Sequence, residues 1–190
     1  MSATARSRKP KQATQPTPSR TPARTAPASP YRSDLFTLRR SPIQGTGAFA
    51  IQPIPKGTRL IEYLGERISQ KEADSRYDDD EEAHPHVLLF SVDRGVAIDA
   101  AVGGNDARFF NHSCDPNCEA VIEKRRVFLE TMRDVERGEE LTYDYSLTRD
   151  GLDDAESERR YACHCGAENC RGTMLEPPRR RRSRTAKTNR

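Results

Sequence analysis

A chain of 190 residues with 34% hydrophobic content can bury one modest core, so two full domains are not expected. It contains no apolar run of about 18 residues, and its first thirty residues lack the apolar stretch of a secretory signal; a reducing compartment is therefore expected, in which five cysteines favour metal ligation over disulfides. The net charge of +3 conceals a division: residues 1–30 carry six basic residues and 178–190 seven, neither with an acid, so all 29 acids face the other 19 basic residues within 31–177, a balance of −10. An acidic folded part repels nucleic acid and gathers cationic peptides, so non-specific contact with DNA or RNA is expected only through the basic tails.

Residues 1–30, dominated by Pro, Thr, Ser, Ala and Arg, show no apolar periodicity and read as a disordered tail. Gly45 and Gly47 in Ile43-Gln-Gly-Thr-Gly-Ala-Phe49 permit a tight turn; by themselves they fit a β-turn between strands, since Pro53 and Pro55 follow where a dinucleotide fingerprint would open a helix. Pro55-Lys-Gly57 turns into a strand over Thr58 to Ile68, and the polar Gln70 to Glu82 suits a short exposed helix or loop. His86 to Val92 and Gly95 to Ala100 form an expected hairpin at Asp93-Arg94-Gly95, and Val121-Ile122 with Val127 to Met132 a second across Lys124-Arg125-Arg126. Gly138 to Tyr145 is a turn feeding a strand, and the Arg-rich 178–190 is a second disordered tail. The fold class expected is mainly β with short helices.

Cys163, Cys165 and Cys170 supply three thiolates where tetrahedral zinc takes four, so the fourth ligand must come from elsewhere. Cys114, in Arg108-Phe-Phe-Asn-His-Ser-Cys-Asp-Pro-Asn117, is the candidate, and Cys118 is then a packed thiol. Closing the intervening loop costs roughly 3 to 4 kcal/mol of chain entropy, against about 10 kcal/mol or more from structural zinc. In the same run, Asn111, His112 and Ser113 follow two phenylalanines, joining a buried anchor to several hydrogen-bonding groups.

With Gly45-Thr-Gly47, Glu62-Tyr-Leu-Gly-Glu66, Gly104 to Asn117, Gly138 to Tyr145 and Cys163 to Cys170 in this order, the chain resembles the SET-domain protein lysine methyltransferases that carry a zinc-binding post-SET segment. The resemblance implies a SET domain over 35–148 with a variable insert about 69–97, a post-SET segment over 159–176, and a β-clip-like fold with a knot-like threading of the Asn111 and Tyr143 segments. It places S-adenosylmethionine on Gly45, Thr46, Gly47, Arg108, Asn111, His112 and His164, with Met174 or Leu175 closing over the adenine. Tyr145 matches the catalytic tyrosine, Tyr63 lines the lysine channel, and Tyr143 stands at the position associated with how many methyl groups fit. Cys114, Cys163, Cys165 and Cys170 match the Zn2+ ligands. No cysteine-rich segment precedes the domain, and Leu88 replaces an aromatic residue frequent near the cofactor.

These residue types suit methyl transfer from a sulfonium to an amine. A free lysine, with a pKa of about 10.4, must lose its proton first, at a cost of roughly 4 to 5 kcal/mol at neutral pH, and a dry aromatic channel beside a sulfonium favours that loss. The expected activity is S-adenosylmethionine-dependent lysine methylation of basic histone-like or ribosomal segments, mainly to the monomethyl state, by a monomer without membrane contact. The alternative is a non-catalytic zinc module that binds basic peptides or tethers to nucleic acid through its tails. Lys9 and Lys11 are candidate sites of self-methylation, and Asp78 to Glu82 reads equally as a solvated loop or a clamp for basic peptides. The expected location is nucleus or chromosome in a eukaryote, and cytoplasm, nucleoid or a secreted-effector route in a bacterium.

Overall fold

The computed structural model describes residues 34–76, 88–149 and 155–178. The N-terminal tail, the Arg-rich run from Arg179 and the acidic run Asp78 to Glu82 lie outside them. In chain order come β1 (Phe36–Arg40), β2 (Thr46–Ala50), β3 (Arg59–Glu62), β4 (Glu66–Ser69), α1 (Gln70–Arg76), β5 (Leu89–Asp93) and β6 (Val96–Asp99). A 3-10 turn at Asp106–Phe109 precedes β7 (Asn111–His112), β8 (Cys118–Glu123), β9 (Arg126–Thr131), β10 (Glu140–Tyr143) and α2 (Ala155–Arg160). The mainly β expectation holds. A seven-stranded sheet runs β1-β2-β10-β8-β9-β3, with β7 paired to β10 off this path, and a second sheet is ordered β4-β6-β5.

Both predicted hairpins form, each with its own turn chemistry. At Arg94-Gly95, the Asp93 carboxylate accepts the backbone N–H of Gly95 and Val96 at 2.9 and 3.1 Å, closing β5 onto β6. Between β8 and β9 the turn residues Lys124 and Arg125 hold φ of 48° and 63°. A two-residue turn with both φ positive matches the right-handed twist of its strands, and six register pairs from Cys118↔Thr131 to Glu123↔Arg126 hold it there. The stretch expected as one strand, Thr58 to Ile68, is split instead: β3 pairs with β9 and β4 with β6, so the chain changes sheets at Tyr63-Leu64-Gly65. Asn105 braces this crossing, donating to Glu62 O at 2.7 Å and accepting Leu64 N–H at 3.3 Å.

The polar stretch that follows starts as a helix because Ser69 caps it, its hydroxyl accepting Glu72 N–H at 3.2 Å in a Ser-x-x-Glu spacing. Arg76 at the other end of α1 reaches Glu72, Glu66 and the fully buried Asp99 at 2.7, 2.8 and 2.7 Å. The main core holds Phe36, Ile54, Leu60, Phe110, Val127, Leu129 and Leu141, with Phe36 edge-on to Phe110 at 5.1 Å. Val127, Phe128 and Leu129 are consecutive and all buried, since β9 lies between two strands and is covered on both faces.

Candidate active site and metal centre

β10 organises the site. Its first half pairs antiparallel with β2, through Glu140↔Phe49 and Leu141↔Ala48, and its second half pairs parallel with β7, through Thr142↔Asn111 and Tyr143↔His112. The strand thereby brings the glycine turn, the Asn111-His112 segment and Tyr143 together. Asn117 fixes it laterally, accepting Thr142 N–H at 2.9 Å and donating to Glu140 O at 2.8 Å.

Asn111 donates its side-chain amide to Gln44 O, Thr46 O and Glu140 Oε1 at 3.1, 3.3 and 2.8 Å, so it clamps the turn from beneath. Ser41 closes the other end: its N–H reaches Gly45 O at 2.9 Å, and its hydroxyl donates to Glu140 Oε2 at 2.9 Å. Gly45 has a φ of 49°, where a side chain is strained, and a Cβ on Gly47 would fall on the Glu140 carboxylate. The outcome is a rigid turn presenting exposed Gly45 and Thr46. Glu140, which fills the space under Gly47, is absent from the residues singled out by sequence; its only signal there is its place in Gly138-Glu-Glu-Leu141.

Three tyrosines gather on the other side of β7. Tyr145 lies 4.8 Å from Tyr143 and 5.3 Å from His112 between ring centroids, and Tyr63 stacks at 5.5 Å on Phe90. Tyr145 Oη donates to Phe110 O at 2.9 Å and Tyr63 Oη to Leu88 O at 3.0 Å. A phenol whose proton is spent on a carbonyl can only accept from anything else that approaches. Burial pushes all three phenols above their ordinary pKa, so they stay protonated. Leu88 thus serves through its backbone, a role its side-chain type does not announce.

The four predicted metal ligands converge. The Sγ atoms of Cys114, Cys163, Cys165 and Cys170 all lie within 4.8 Å of one another, with Cys114 3.7 Å from Cys163 and 3.9 Å from Cys170. Zinc–thiolate bonds of about 2.3 Å in a tetrahedron put sulfurs about 3.8 Å apart, so the donor set fits Zn2+. Each sulfur also accepts at least one backbone N–H: Cys114 from Arg171 at 3.4 Å, Cys163 from Cys165 at 3.4 Å, Cys165 from Cys114 at 3.5 Å and from Ala167, and Cys170 from Gly172 at 3.4 Å. Such bonds support thiolates around a metal. Cys118 is fully packed, its thiol pushed up to about 12 by burial.

His112 connects the two halves. Burial pulls it down to about 4, so it is neutral, and its Nδ1 accepts Tyr145 N–H at 3.1 Å. The ring proton is therefore assigned to Nε2, which faces Cys114 Sγ at 3.4 Å. Leu175 is buried, bridged to Leu147 two residues beyond Tyr145, so the cysteine segment packs beside the tyrosines. Arg108 and His164 are both exposed, the former with its guanidinium 4.8 Å over the Phe109 ring. Neither makes a hydrogen bond or ion pair with the glycine turn among the described residues.

A tyrosine pair at and just beyond the end of β10, beside an Asn-His segment and a four-cysteine cluster, agrees with the SET-domain resemblance read from the motifs. Residues 45–146 match the model of the SET domain family, and the chain belongs to it. Among curated relatives, it is 42% identical over 152 residues to the "Histone-lysine N-methyltransferase, H3 lysine-4 specific" of Saccharomyces cerevisiae, covering 75% of this chain and 13% of the relative. The protein of that name from Eremothecium gossypii is 41% identical over 152 residues, covering 75% and 15%. Human "Histone-lysine N-methyltransferase 2D" is 38% identical over 148 residues, covering 76% and 3%. The chain spans no more than 15% of the length of these relatives.

Proposed function

We propose that the protein is an S-adenosylmethionine-dependent protein-lysine N-methyltransferase acting on basic histone tails, H3 foremost, and yielding mainly monomethyl-lysine. The observation that carries this reading is the pair of phenols, Tyr145 and Tyr63, whose protons are committed to Phe110 O and Leu88 O. Their oxygens are left as acceptors for an amine. S-adenosylmethionine, when bound, supplies an electrophilic methyl group on a sulfonium. The residues assigned to hold it are Gly45, Thr46, Gly47, Arg108, Asn111, His112 and His164; the exposed, rigidly clamped glycine turn supports that assignment. Zn2+ on the four cysteines would hold the C-terminal segment against β7.

The incoming lysine must arrive as a neutral amine. Aromatic walls at the buried Tyr63 and Tyr143 and the half-buried Phe90 and Tyr145 disfavour the ammonium, and phenol oxygens accept amine N–H bonds that fix its lone pair along one line. Tyr143 is 5% exposed, and its hydroxyl has no hydrogen-bond partner among the described residues. It is free to hold a water or an amine hydrogen where a second methyl would sit, which supports monomethylation. The balance of −10 across 31–177 suits a basic substrate. In a eukaryotic cell this activity belongs on chromatin.

Radiolabelled methyl transfer to recombinant H3, other histones and basic ribosomal proteins, with mass-spectrometric mapping, tests this reading. Label on an H3-tail lysine is expected. Zinc-loaded protein that binds S-adenosylhomocysteine yet labels none of them would support the peptide-binding module instead. Label confined to Lys9 or Lys11 of the chain itself would point to self-methylation.

A further inference from the structure

Arg171 follows the last cysteine of the knuckle, and Asp144 separates the two adjacent tyrosines; neither belongs to the ligand set or the phenol cluster. Arg171 nevertheless binds a member of the ligand set and the residue between the tyrosines. Its backbone N–H reaches Cys114 Sγ at 3.4 Å, while Nη1 and Nη2 donate to Asp144 Oδ2 and Oδ1, both at 2.8 Å. The paired side chains are only 23% and 32% exposed. A planar two-bond fork in a partly enclosed setting fixes orientation in a way that an exposed point-charge pair does not. The fork is so placed that the Arg171 Nε is buried with no hydrogen-bond partner among the described residues.

Asp144 passes this restraint to the chain that follows Tyr145. Its Oδ1 accepts Ser146 N–H at 3.0 Å, closing the turn immediately after Tyr145, and Ser146 holds a φ of 47°. A serine stays in the left-handed region only where its surroundings over-determine it. The Tyr145 backbone N–H is meanwhile held by His112, whose other ring nitrogen faces Cys114. Two arms therefore run from Cys114 to the Tyr145 segment, one through His112 and one through Arg171 and Asp144. Charge favours the second arm: four thiolates around Zn2+ carry a net charge of −2, and the Arg171 cation lies beside Cys114 and Cys163.

We propose that the Arg171–Asp144 pair is a latch through which the metal knuckle positions Tyr145, making both of them positioning residues. Its effect on turnover rests on the methyltransferase reading; the coupling of knuckle to tyrosine does not. When the knuckle closes, Arg171 is delivered to Asp144 and braces the Tyr145–Ser146 turn. When it opens, the carboxylate loses its fork and the phenol loses its fixed direction.

The test uses the full zinc-loaded chain with Asp144→Asn, Arg171→Gln, Arg171→Lys and the Asp144→Asn/Arg171→Gln double variant. Each is expected to keep a full complement of zinc. Turnover should fall roughly 10- to 100-fold, with KM for S-adenosylmethionine changed by no more than about 3-fold, because misdirection affects the reacting geometry. The double variant should be no worse than the worse single, and Arg171→Lys should resemble Arg171→Gln, since lysine keeps the charge without the fork. A second readout is independent of activity: with fluorotyrosine incorporated, the Tyr145 resonance, assigned by Tyr145→Phe, should shift on zinc withdrawal in wild type and shift much less in the double variant. Full turnover in the zinc-loaded double variant, or losses that simply add, would overturn the latch. Should wild type transfer no methyl group, the methyltransferase reading fails by itself, and an equal zinc-dependent shift in wild type and double variant would then overturn the latch.

Discussion

Gly47→Ala tests the glycine turn and its hidden support together. A Cβ at position 47 would fall on the Glu140 carboxylate, 2.9 Å from its Cδ and 3.0 Å from Ser41 Cβ. Glu140 cannot swing away freely, because its two oxygens hold Asn111 at 2.8 Å and Ser41 at 2.9 Å. Hydrogen bonds to a charged group contribute about 1.5 to 3 kcal/mol each, so displacing Glu140 costs about 3 kcal/mol or more. For a domain of this size that lowers Tm by roughly 6 to 12 °C. Asn111 also clamps Gln44 and Thr46, so the turn loosens and S-adenosylhomocysteine affinity should fall at least about ten-fold, equivalent to 1.4 kcal/mol. Calorimetric titration and thermal melting measure both. The decisive comparison is Gly47→Ala/Glu140→Ala, which removes the carboxylate and leaves only the 3.0 Å approach to Ser41 Cβ, so the two losses should fall well short of adding. A double variant in which the two losses add would refute the wedge, and an unaffected Gly47→Ala would refute the placement of the cofactor turn.

Tyr145→Phe removes the oxygen proposed to accept from the amine and the bond to Phe110 O; turnover should drop about 100-fold or more with cofactor affinity nearly unchanged, and unchanged turnover would remove Tyr145 from the mechanism. Tyr143→Phe deletes a hydroxyl that has no hydrogen-bond partner among the described residues, so under the proposed monomethylation mass spectrometry should show added di- and trimethyl products; abundant trimethyl product from wild type would contradict the reading of Tyr143. Cys114→Ser should abolish stable zinc binding, measured by metal analysis, and take activity with it, whereas a variant that loses zinc but methylates normally would confine the knuckle to a structural role. Burial raises the phenol pKa values, so their deprotonation lies above the ordinary value near 10 and imposes no falling limb below it. Rates should climb with pH as lysine loses its proton, and a fall below pH 10 that Tyr145→Phe abolishes would show a phenol titrating too early.

Local chemistry made much of this molecule readable without coordinates. The hairpins at Asp93-Arg94-Gly95 and Lys124-Arg125 are encoded by residues next to one another, and the four-ligand metal set by the coordination number of zinc set against a three-cysteine cluster, whereas the polar stretch from Gln70 reads equally as helix or loop until the Ser69 cap starts a helix over Gln70–Arg76. The family motifs directed attention to Tyr63, Tyr143, Tyr145, Asn111 and His112, which the fold does bring together. Tertiary structure alone decided the rest. The parallel pairing of β7 with β10 joins residues 31 apart, and parallel neighbours leave no turn signal in the sequence. The same is true of Glu140 beneath Gly47, of the Phe110 and Leu88 carbonyls that take the phenol protons, and of the Arg171–Asp144 fork. A side chain's chemical type is fixed by the sequence, but which lone pair or proton remains available to a substrate depends on partners that only packing supplies.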